Sequence, residues 1–558
     1  NYAFIAASFS GLKAIDISEP TAPSLAGSFS IPGSAQLVDA DENYVYVGDN
    51  GSGQFFIFEK SFAPHLILDK TELYFAASAS GFKTGAQTLL IDKSGIGALN
   101  WQAVSDQSWL SCSPASGSDA GVITVSVDAT GLTPGTYNGS ITVSAPNADN
   151  SPQSTAVTLK VYEATQLSSP FGDFAAPGAG SIVQNSIPVT GWALDDIAVV
   201  NVAIYREEGA NLVYIGDAVF IEGARPDVET AYPGYPLNYK AGWGYMMLTN
   251  LLPGGGNGPL TLHAIATDAE GNQVTLGTKS IICDNVHAVK PFGAIDTPIQ
   301  GGVISGSNFI NWGWVLTPAP NMVPTDGSSI DVWIDGVKRG HPIYNINRPD
   351  IASLFPNYSN SGGAGGYFKF NTTNYNNGIH TIAWSVEDNA GNTDGIGSRY
   401  FSVQKIAADQ DNPGIHTTTA MKNRTYSFDR IAEIPRHISG PVIIKKGFRD
   451  DAETRILDCD EQGFIRVQLK ELEPVEIRLS EDECITELTG FMVVEGQLRP
   501  LPIGSTLDLK TVAFHWGPGL GFVGNYQLVF ILKDQNGKLW KKNIVINIRP
   551  CPKEAKNF

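Results

Sequence analysis

Apolar and polar side chains alternate in short runs along most of the chain, and this two-residue period predicts β-strands. Val122–Val127 and Gly139–Val143 show the pattern, which recurs at Val199–Tyr205 and Ile330–Ile334. The runs are separated by turn-forming residues, since Gly and Pro make up 59 and 33 of the 558 residues. The pattern predicts an all-β protein, and the length predicts several domains.

Two segments within the first sixty residues align at a spacing of 42 residues. Asn1–Ile5 corresponds to Asn43–Val47, and Gly11–Ile15 corresponds to Gly53–Ile57. A period of about 40–45 residues is typical of one propeller blade. The run from Gly11 to Pro20 resembles the LVIVD-type repeat of bacterial surface propellers, which implies that residues 1–62 are the last blades of a β-propeller. Because fewer than about three repeats are rarely stable alone, we expect a fragment of a longer protein.

Residues 63–163 continue with strands of a different pattern. Trp101, Trp109–Ser111 and Gly117, followed by Leu132–Gly139, resemble the BACON type of immunoglobulin-like (Ig-like) domain. This resemblance implies a β-sandwich and a link to carbohydrate or mucin recognition. We expect Trp109 to be a core residue of the sandwich rather than a platform for a sugar.

Residues 164–286 and 287–404 are two copies of one sequence at an offset of about 121 residues. The matching segments are Pro170–Gly172 with Pro291–Gly293, Gly191–Leu194 with Gly313–Leu316, Arg225–Val228 with Arg348–Ile351, and Asp268–Asn272 with Asp388–Asn392. The pair resembles the Ig-like repeats of secreted bacterial surface proteins and glycosidase appendages. We call the two copies repeat 1 and repeat 2.

Residues 405–558 begin with a polar stretch, interpreted as a linker, and continue with strands. Leu501–Asp508, Phe514–Gly519 and Gly524–Phe530 resemble the Ig-like or cadherin-like sandwich of bacterial surface proteins. The predicted architecture is the last blades of a β-propeller followed by a string of Ig-like β-sandwich domains, with short linkers that allow limited bending.

Composition and motifs exclude several classes of function. The net charge of −19 provides no broad cationic surface for nucleic acid. The apolar runs are shorter than the ~20 residues of a membrane helix, so we expect no membrane insertion. The sequence has no HExxH pair, GxSxG elbow or P-loop, and the GxGxxG match at Gly519–Gly524 leads into a strand rather than a helix. We therefore predict a protein without enzymatic activity, and interpret that motif as a glycine-rich turn.

Aromatic residues on Gly- and Pro-rich loops are candidate ligand or interface contacts. They are Tyr232, Tyr235, Tyr239 and Trp243 in repeat 1, and Tyr344, Phe355 and Tyr358 in repeat 2. Flat rings stack on sugar faces and anchor protein interfaces, and they also close the open end of a sandwich. The sequence leaves these alternatives open.

The duplicated Arg-Pro-Asp segments predict a structural clamp in each repeat. We expect Arg225 to pair with Asp227, and Arg348 with Asp350, because a buried or half-buried arginine–carboxylate pair can hold a loop against the sandwich. A contact with a ligand is the alternative.

The duplicated Asp-x-x-Gly-Asn turns are candidate calcium ligands. Asp268 and Asn272, and likewise Asp388 and Asn392, bring a carboxylate and an amide oxygen together, although the same residues form simple Asx-capped turns. No other cofactor or metal is predicted. Among the five cysteines, Cys459 and Cys484 are a candidate disulfide, with free buried thiols as the alternative.

These features together predict a non-enzymatic structural or adhesive scaffold of a bacterial surface or secreted protein, located outside the cell. Self-association into a filament or layer, or contact with other surface proteins, would be its mode of action. The alternative is a carbohydrate-binding accessory region of a larger secreted enzyme or receptor, with glycans as partners.

Overall fold

The computed structural model describes most of the chain. The described residues are 2–8, 10–17, 23–29, 31, 34–40, 44–49, 54–59, 64–94, 98–404, 428–435, 440–449, 451–480, 485–534 and 538–550.

Two three-stranded antiparallel sheets form the first part of the chain, in the orders β1-β2-β3 and β4-β5-β6. The strands are β1 (Tyr2–Ala6), β2 (Leu12–Asp16), β3 (Ser24–Phe29), β4 (Ala35–Ala40), β5 (Tyr44–Asp49) and β6 (Phe55–Glu59). Strand β1 pairs with β2 as its counterpart β5 pairs with β6. Leu12, Val45 and Val47 are buried between the sheets, so the two units share one apolar cluster, as propeller blades do.

The next domain is a sandwich of a five-stranded and a four-stranded sheet, in the orders β12-β10-β14-β15-β8 and β11-β13-β9-β7. Its strands are β7 (His65–Leu68), β8 (Glu72–Ser78), β9 (Gln87–Ser94), β10 (Asn100–Ser105), β11 (Leu110–Ser113), β12 (Ser116–Ser118), β13 (Gly121–Val127), β14 (Gly135–Ser144) and β15 (Gln153–Tyr162). Trp101 and Trp109 are both in its core, where the alternation of the strands places them.

Repeat 1 is also a sandwich of four and five strands, in the orders β16-β18-β22-β21 and β17-β24-β23-β19-β20. Its elements are β16 (Phe171–Ala176), β17 (Ile182–Val183), β18 (Ser186–Leu194), β19 (Val199–Glu208), β20 (Asn211–Asp217), β21 (Val219–Ile221), α1 (Pro226–Ala231), β22 (Gly242–Leu248), α2 (Pro253–Gly256), β23 (Asn257–Asp268) and β24 (Gln273–Asp284). Short 3₁₀ turns lie at Ala164–Gln166, Asn238–Lys240, Thr249–Leu251 and Asn285–His287.

Repeat 2 has the same topology, in the orders β25-β27-β31-β30 and β26-β33-β32-β28-β29. Its elements are β25 (Phe292–Ile295), β26 (Gly302–Ile304), β27 (Phe309–Leu316), β28 (Ile330–Ile334), β29 (Val337–Gly340), β30 (Ile343–Ile346), α3 (Pro349–Leu354), β31 (Gly365–Phe370), β32 (Gly378–Glu387) and β33 (Thr393–Val403), with 3₁₀ turns at Ser361–Gly363 and Thr372–Asn374. Each four-stranded sheet of one repeat therefore has a direct counterpart in the other.

The C-terminal sandwich has two five-stranded sheets, in the orders β35-β34-β37-β41-β40 and β36-β43-β42-β38-β39. Its elements are α4 (Phe428–Glu433), β34 (Val442–Lys446), β35 (Thr454–Leu457), β36 (Phe464–Lys470), β37 (Val475–Arg478), β38 (Ile485–Val494), β39 (Gln497–Arg499), β40 (Ser505–Asp508), β41 (Ala513–Trp516), β42 (Gly524–Asp534) and β43 (Leu539–Arg549). The prediction of an all-β protein with propeller-type units followed by Ig-like sandwiches is confirmed.

One pairing is common to all four sandwiches and distinguishes them from simple hairpin stacks. An early strand pairs in parallel with the last strand of the same domain: β8 with β15, β17 with β24, β26 with β33, and β36 with β43. A parallel pair cannot be joined by a tight turn, so the whole domain forms the connection.

A glycine is required at one duplicated position in each repeat, where two paired strands of the four-stranded sheet approach closely. The strands are β16 and β18 in repeat 1, and β25 and β27 in repeat 2. A Cβ atom on Gly172 would lie 2.1 Å from the carbonyl oxygen of Trp192, and one on Gly293 would lie 2.0 Å from that of Trp314. Backbone atoms cannot move aside as a flexible side chain does, so these positions have no room for another residue.

We predict that Gly293→Ala destabilises repeat 2 by about 1–3 kcal/mol, the usual cost of forcing extra atoms into a packed region. Denaturant unfolding followed by tryptophan fluorescence measures the change. Gly362→Ala is the control, because a Cβ atom there meets nothing within 4 Å, and it should change stability by less than about 0.5 kcal/mol. Equal effects of the two substitutions would contradict the prediction.

Candidate functional site at the domain junctions

The C-terminal sandwich packs against repeat 1 on the face of its four-stranded sheet that points away from the core of the repeat. A Cβ atom on Gly244 would lie 2.8 Å from the Cβ of Leu520, so the two backbones approach closely. The Tyr526 hydroxyl donates to the carbonyl oxygen of Ala224 at 2.5 Å. Ile221 and Ala224 of repeat 1 belong to the same buried cluster as the C-terminal core. The two domains thus share apolar packing as well as a buried hydrogen bond.

The same C-terminal domain also contacts repeat 2. The Tyr400 hydroxyl donates to the carbonyl oxygen of Leu520 at 2.7 Å, and the Thr506 hydroxyl donates to that of Asp335 at 2.9 Å. A Cβ atom on Gly336 would lie 2.7 Å from the amide nitrogen of Gly517. One domain is therefore bonded to both repeats, which fixes the angle between them.

The glycine-rich turn Gly519–Gly524 lies at the point where the three domains meet. A Cβ atom on Gly519 would lie 2.1 Å from the Tyr400 hydroxyl oxygen of repeat 2. On the other side, a Cβ atom on Gly524 would lie 3.3 Å from a carboxylate oxygen of Asp227 in repeat 1. The spacing of these glycines, which resembled a nucleotide motif, reflects the close approach of two neighbouring domains.

A buried carboxyl group lies beside this turn. Glu471 is 3% exposed, and its two oxygens accept hydrogen bonds from the Gly521 amide at 3.1 Å and from the Thr190 hydroxyl of repeat 1 at 3.3 Å. Burial raises the pKa of Glu471 from the usual 4.5 to about 8, because the charged form is poorly solvated there. The interface therefore favours the neutral acid near physiological pH.

A third interface between domains joins the BACON-like sandwich to repeat 1. The Lys70 ammonium lies 2.7 Å from Glu222 and 5.0 Å from the centre of the Tyr239 ring. Burial alone would lower the pKa of Lys70, but the nearby Glu222 and Asp69 carboxylates outweigh burial and raise it, so the lysine stays charged. The Thr84 hydroxyl also donates to the carbonyl oxygen of Ile197 at 2.8 Å. Tyr239, a candidate contact residue, therefore lies in an interface between domains.

The other predicted aromatic residues form matching clusters in the two repeats. Tyr232 lies 5.3 Å from the ring centres of both Phe171 and Trp192, with Tyr235 beside them, and the group packs on helix α1. The counterparts Phe355 and Tyr358 pack with Phe292 and Trp314 against helix α3 in the same way.

Three predicted residues are too buried to offer a ring face to a ligand. Trp243 is 0% exposed in the core of repeat 1, because strand β22 directs it inward. Tyr344 and Phe355 are each 6% exposed, and the Tyr344 hydroxyl donates to the carbonyl oxygen of Val315. Trp243, Tyr344 and Phe355 are therefore not surface contact residues, and their side chains pack inside the sandwiches.

Both Arg-Pro-Asp segments form the expected ion pair. Arg225 donates from Nε and Nη2 to the two oxygens of Asp227 at 2.8 and 2.7 Å, and Arg348 donates to Asp350 at 2.9 and 2.7 Å. Arg348 also donates to Asp296 at 2.6 Å, so the second clamp ties the segment after β25 to the start of helix α3. The first clamp instead lies beside the C-terminal domain at Gly524. The duplicated motif thus serves a different neighbour in each copy.

The two Asp-x-x-Gly-Asn turns are closed by their own hydrogen bonds. The Asn272 amide nitrogen and side-chain amide donate to the two oxygens of Asp268 at 2.7 and 2.9 Å. Asn392 makes the equivalent bonds to Asp388, which also accepts from the Thr317 hydroxyl at 2.8 Å. In both turns the asparagine side chain presents its NH₂ group, not its oxygen, to the aspartate.

Sequence reasoning missed the residues in which the two repeats differ. Repeat 1 has Asp195-Asp196 where repeat 2 has Thr317-Pro318, and Glu270 where repeat 2 has Ala390. These three carboxylates lie together in the structure. Acidic residues found in one copy of a duplication and missing from the other are a signal that an alignment of the two copies could have shown.

The disulfide prediction falls partly outside the described residues. Cys459 lies before strand β36, whereas Cys484 is not among the residues that the structure describes. The pairing of Cys459 with Cys484 stays a prediction.

Comparison with known families identifies two domain types. Residues 65–156 match the family profile described as "Viral BACON domain", and residues 1–30 and 32–55 match the profile of the LVIVD repeat. The chain contains a BACON domain and LVIVD repeats. The resemblances that the sequence indicated for these two regions are confirmed. No curated protein matches the chain.

Several solved structures are similar to part or nearly all of the chain. A GH5 xyloglucanase from Bacteroides ovatus is 17% identical over 22% of this chain, which spans 27% of the enzyme, with a TM-score of 0.14. Dimeric latent PorU from Porphyromonas gingivalis is 10% identical over 64% of this chain and 36% of its own, with a TM-score of 0.24. The protocadherin GammaB4 extracellular domain is 9% identical over 99% of this chain and 77% of its own, with a TM-score of 0.15.

We predict that Glu471→Gln removes a pH dependence of stability. Between pH 4.5 and about 8 the folded chain keeps a proton on Glu471 that the unfolded chain has released, so wild-type stability falls as pH rises. The loss is at most about 1.4 kcal/mol per pH unit. Thermal unfolding midpoints should be equal for variant and wild type near pH 4.5 and higher for the variant at pH 8. Glu473→Gln is the matched control, and a pH-independent difference for Glu471→Gln would contradict the prediction.

Proposed function

We propose that this chain is a non-enzymatic scaffold of an extracellular or surface-displayed bacterial protein, built to hold its domains in a fixed arrangement. The observation that carries this proposal is the bonding of one C-terminal sandwich to both repeats, through Tyr526 to Ala224 and through Tyr400 to Leu520. A string of sandwiches joined only by linkers would bend at each junction. Here the C-terminal sandwich folds back against both repeats, and its contacts restrict bending between them.

The nature of the contacts supports rigidity rather than transient docking. Glycines bring the backbones into direct contact, and the buried hydroxyl groups of Tyr400 and Tyr526 would lose their interdomain acceptors in an opening too small to admit water. An unpaired buried polar group costs about 1–3 kcal/mol, so partial opening is penalised at each bond. Close packing of this kind is the property that a spacer or an assembly subunit needs.

The domain types and the surface charge agree with a location outside the cell. The chain combines LVIVD repeats, a BACON domain and Ig-like sandwiches, and it carries a net charge of −19. Among the described residues, no helix is long and apolar enough to cross a membrane. We propose that its partners are further copies of the chain or other surface proteins, and electron microscopy of the native material would show whether the copies form a regular polymer.

We predict that Gly244→Tyr detaches the C-terminal sandwich from repeat 1. Repeat 2 carries Tyr367 at the corresponding position of strand β31, so the sheet itself accepts tyrosine, whereas Leu520 blocks it in repeat 1. Small-angle scattering should show a radius of gyration larger by several ångströms, with an unchanged far-ultraviolet circular dichroism spectrum. Tyr367→Ala in repeat 2 is the control and should leave the radius unchanged. An unchanged radius for Gly244→Tyr would count against the rigid scaffold.

A carbohydrate-binding accessory region is the second candidate function, and one pair of residues favours it. Trp312 and Tyr367 lie on the face of repeat 2 that corresponds to the face of repeat 1 covered by the C-terminal domain. Both rings are half-buried with their centres 4.9 Å apart, and the Lys369 ammonium lies 5.7 Å from the Tyr367 ring. Paired aromatic rings on a sheet face suit the flat side of a sugar.

We predict for this second function that the chain retains soluble glycans in affinity electrophoresis and that Trp312→Ala abolishes the retention. Tyr235→Ala is the comparison variant, because Tyr235 packs against Phe171 at the end of repeat 1. The scaffold function alone predicts no saturable binding of any glycan by either variant or by the wild type.

A further inference from the structure

Three carboxylates of repeat 1 converge beside its junction with the BACON domain. Asp195 and Asp196 directly follow strand β18, and Glu270 lies in the turn between strands β23 and β24. One oxygen of each residue lies within 4.8 Å of the others. Like charges at this distance repel one another, so this arrangement needs a physical reason.

Two of the six carboxylate oxygens in this cluster already accept hydrogen bonds that fix its geometry. Asp195 accepts from the amides of Ile197 and Ala198 through Oδ2, at 2.8 and 3.0 Å. Asp196 accepts from the amide and the hydroxyl of Ser168 through Oδ2, at 2.8 and 2.9 Å. Each carboxylate is thereby held in one orientation, with its second oxygen directed elsewhere.

The remaining oxygens are buried and have no hydrogen-bond partner. They are Oδ1 of Asp195, Oδ1 of Asp196 and both oxygens of Glu270. Asp195 is 1% exposed and Asp196 is 6% exposed, so water cannot solvate them freely. A buried carboxylate oxygen without a donor costs several kcal/mol unless a proton or a cation compensates it.

Nearby charges add to this cost rather than relieving it. Asp268 adds a further carboxylate, and no described lysine, arginine or histidine forms an ion pair with any of the four acids. Buried carboxylates this close together repel one another unless a cation lies between them.

Repeat 2 shows the same fold without this cluster. Thr317 takes the place of Asp195 and donates its hydroxyl to Asp388, and the Asn321 side chain donates to the same oxygen at 3.2 Å. Ala390 takes the place of Glu270. The fold therefore does not require the carboxylates of repeat 1, which points to a ligand at that site.

We propose that Asp195, Asp196 and Glu270 bind one calcium-like divalent cation at the junction of the BACON domain and repeat 1. Oxygen ligands without cysteine or histidine suit Ca²⁺, which accepts six to eight oxygens in flexible geometry. The three residues supply four free oxygens, and backbone carbonyls or water complete the shell. Asp268 contributes charge, while its own oxygens stay bonded to Asn272.

The position of the cluster gives the cation a structural consequence. Asp196 holds Ser168 in the segment that enters repeat 1, and Ile197 accepts the bond from Thr84 of the BACON domain. A cation on Asp195 and Asp196 would fix both contacts at once. This inference goes beyond the proposed scaffold function and does not depend on it. The domains could be held rigidly without a bound cation, and a flexible chain could still bind one.

Calorimetric titration of the chelator-treated full chain with CaCl₂ at pH 7.5 tests the site. We expect saturable binding of one Ca²⁺ per chain, and at least about tenfold weaker binding by the Asp195→Asn, Glu270→Gln double variant. Asp388→Asn in repeat 2 is the matched control and should bind as the wild type does. No saturable binding by the wild type, or equal affinity of the double variant, would overturn the proposal.

Thermal unfolding provides a second test, because the difference in unfolding temperature between the double variant and the wild type should change sign between chelator and Ca²⁺. In chelator, the double variant should unfold at a higher temperature than the wild type, because the repulsion among carboxylates is removed. In millimolar Ca²⁺ the order should reverse, since only the wild type gains binding energy. If the double variant does not fold, Glu270→Gln alone provides the same comparison. A midpoint that Ca²⁺ leaves unchanged in the wild type would also overturn the proposal.

Discussion

The arrangement of the domains depends on the close approach of one turn, Gly519–Gly524, to two neighbours at once. The carbonyl oxygen of Leu520 accepts from Tyr400 of repeat 2, and its side chain meets Gly244 of repeat 1. The amide of Gly521 binds the buried Glu471. Because the turn touches both repeats within three residues, a displacement of either repeat would break contacts with the other.

The duplication shows how two copies of one fold can acquire different roles through a few side chains. At one pair of cross-strand positions, repeat 1 has Thr190 and Gly244 and accepts the C-terminal domain. Repeat 2 has Trp312 and Tyr367 at the corresponding pair, where the rings pack on each other. Because the two copies share one backbone fold, this difference in packing resides in side chains on the outer face of the sheet, which the fold itself does not constrain.

The fold class could be predicted from the sequence because alternation and turn residues are local signals. The alternation in Val122–Val127 and the repetition of Arg225–Val228 as Arg348–Ile351 lead directly to strands and to two similar domains. The contact of Tyr526 with Ala224 spans 302 positions, and no local pattern reports it. The burial of Trp243 was missed for a related reason: its Gly-rich surroundings resemble a loop, although strand β22 is paired on both sides. Long-range packing decides both outcomes.

The parallel pairing of an early strand with the last strand has a mechanical consequence. Once the strands that precede it have detached, a pull along the chain acts on such a pair along the strand direction, so its ladder hydrogen bonds are loaded together in shear instead of opening one after another. The parallel ladder runs from Phe464 to Lys470 in the C-terminal sandwich, but covers only Ile182 and Val183 in repeat 1. Under tension the parallel pair of repeat 1 would therefore yield most easily, and repeat 1 contacts both domains that have the longest ladder, the BACON domain and the C-terminal sandwich.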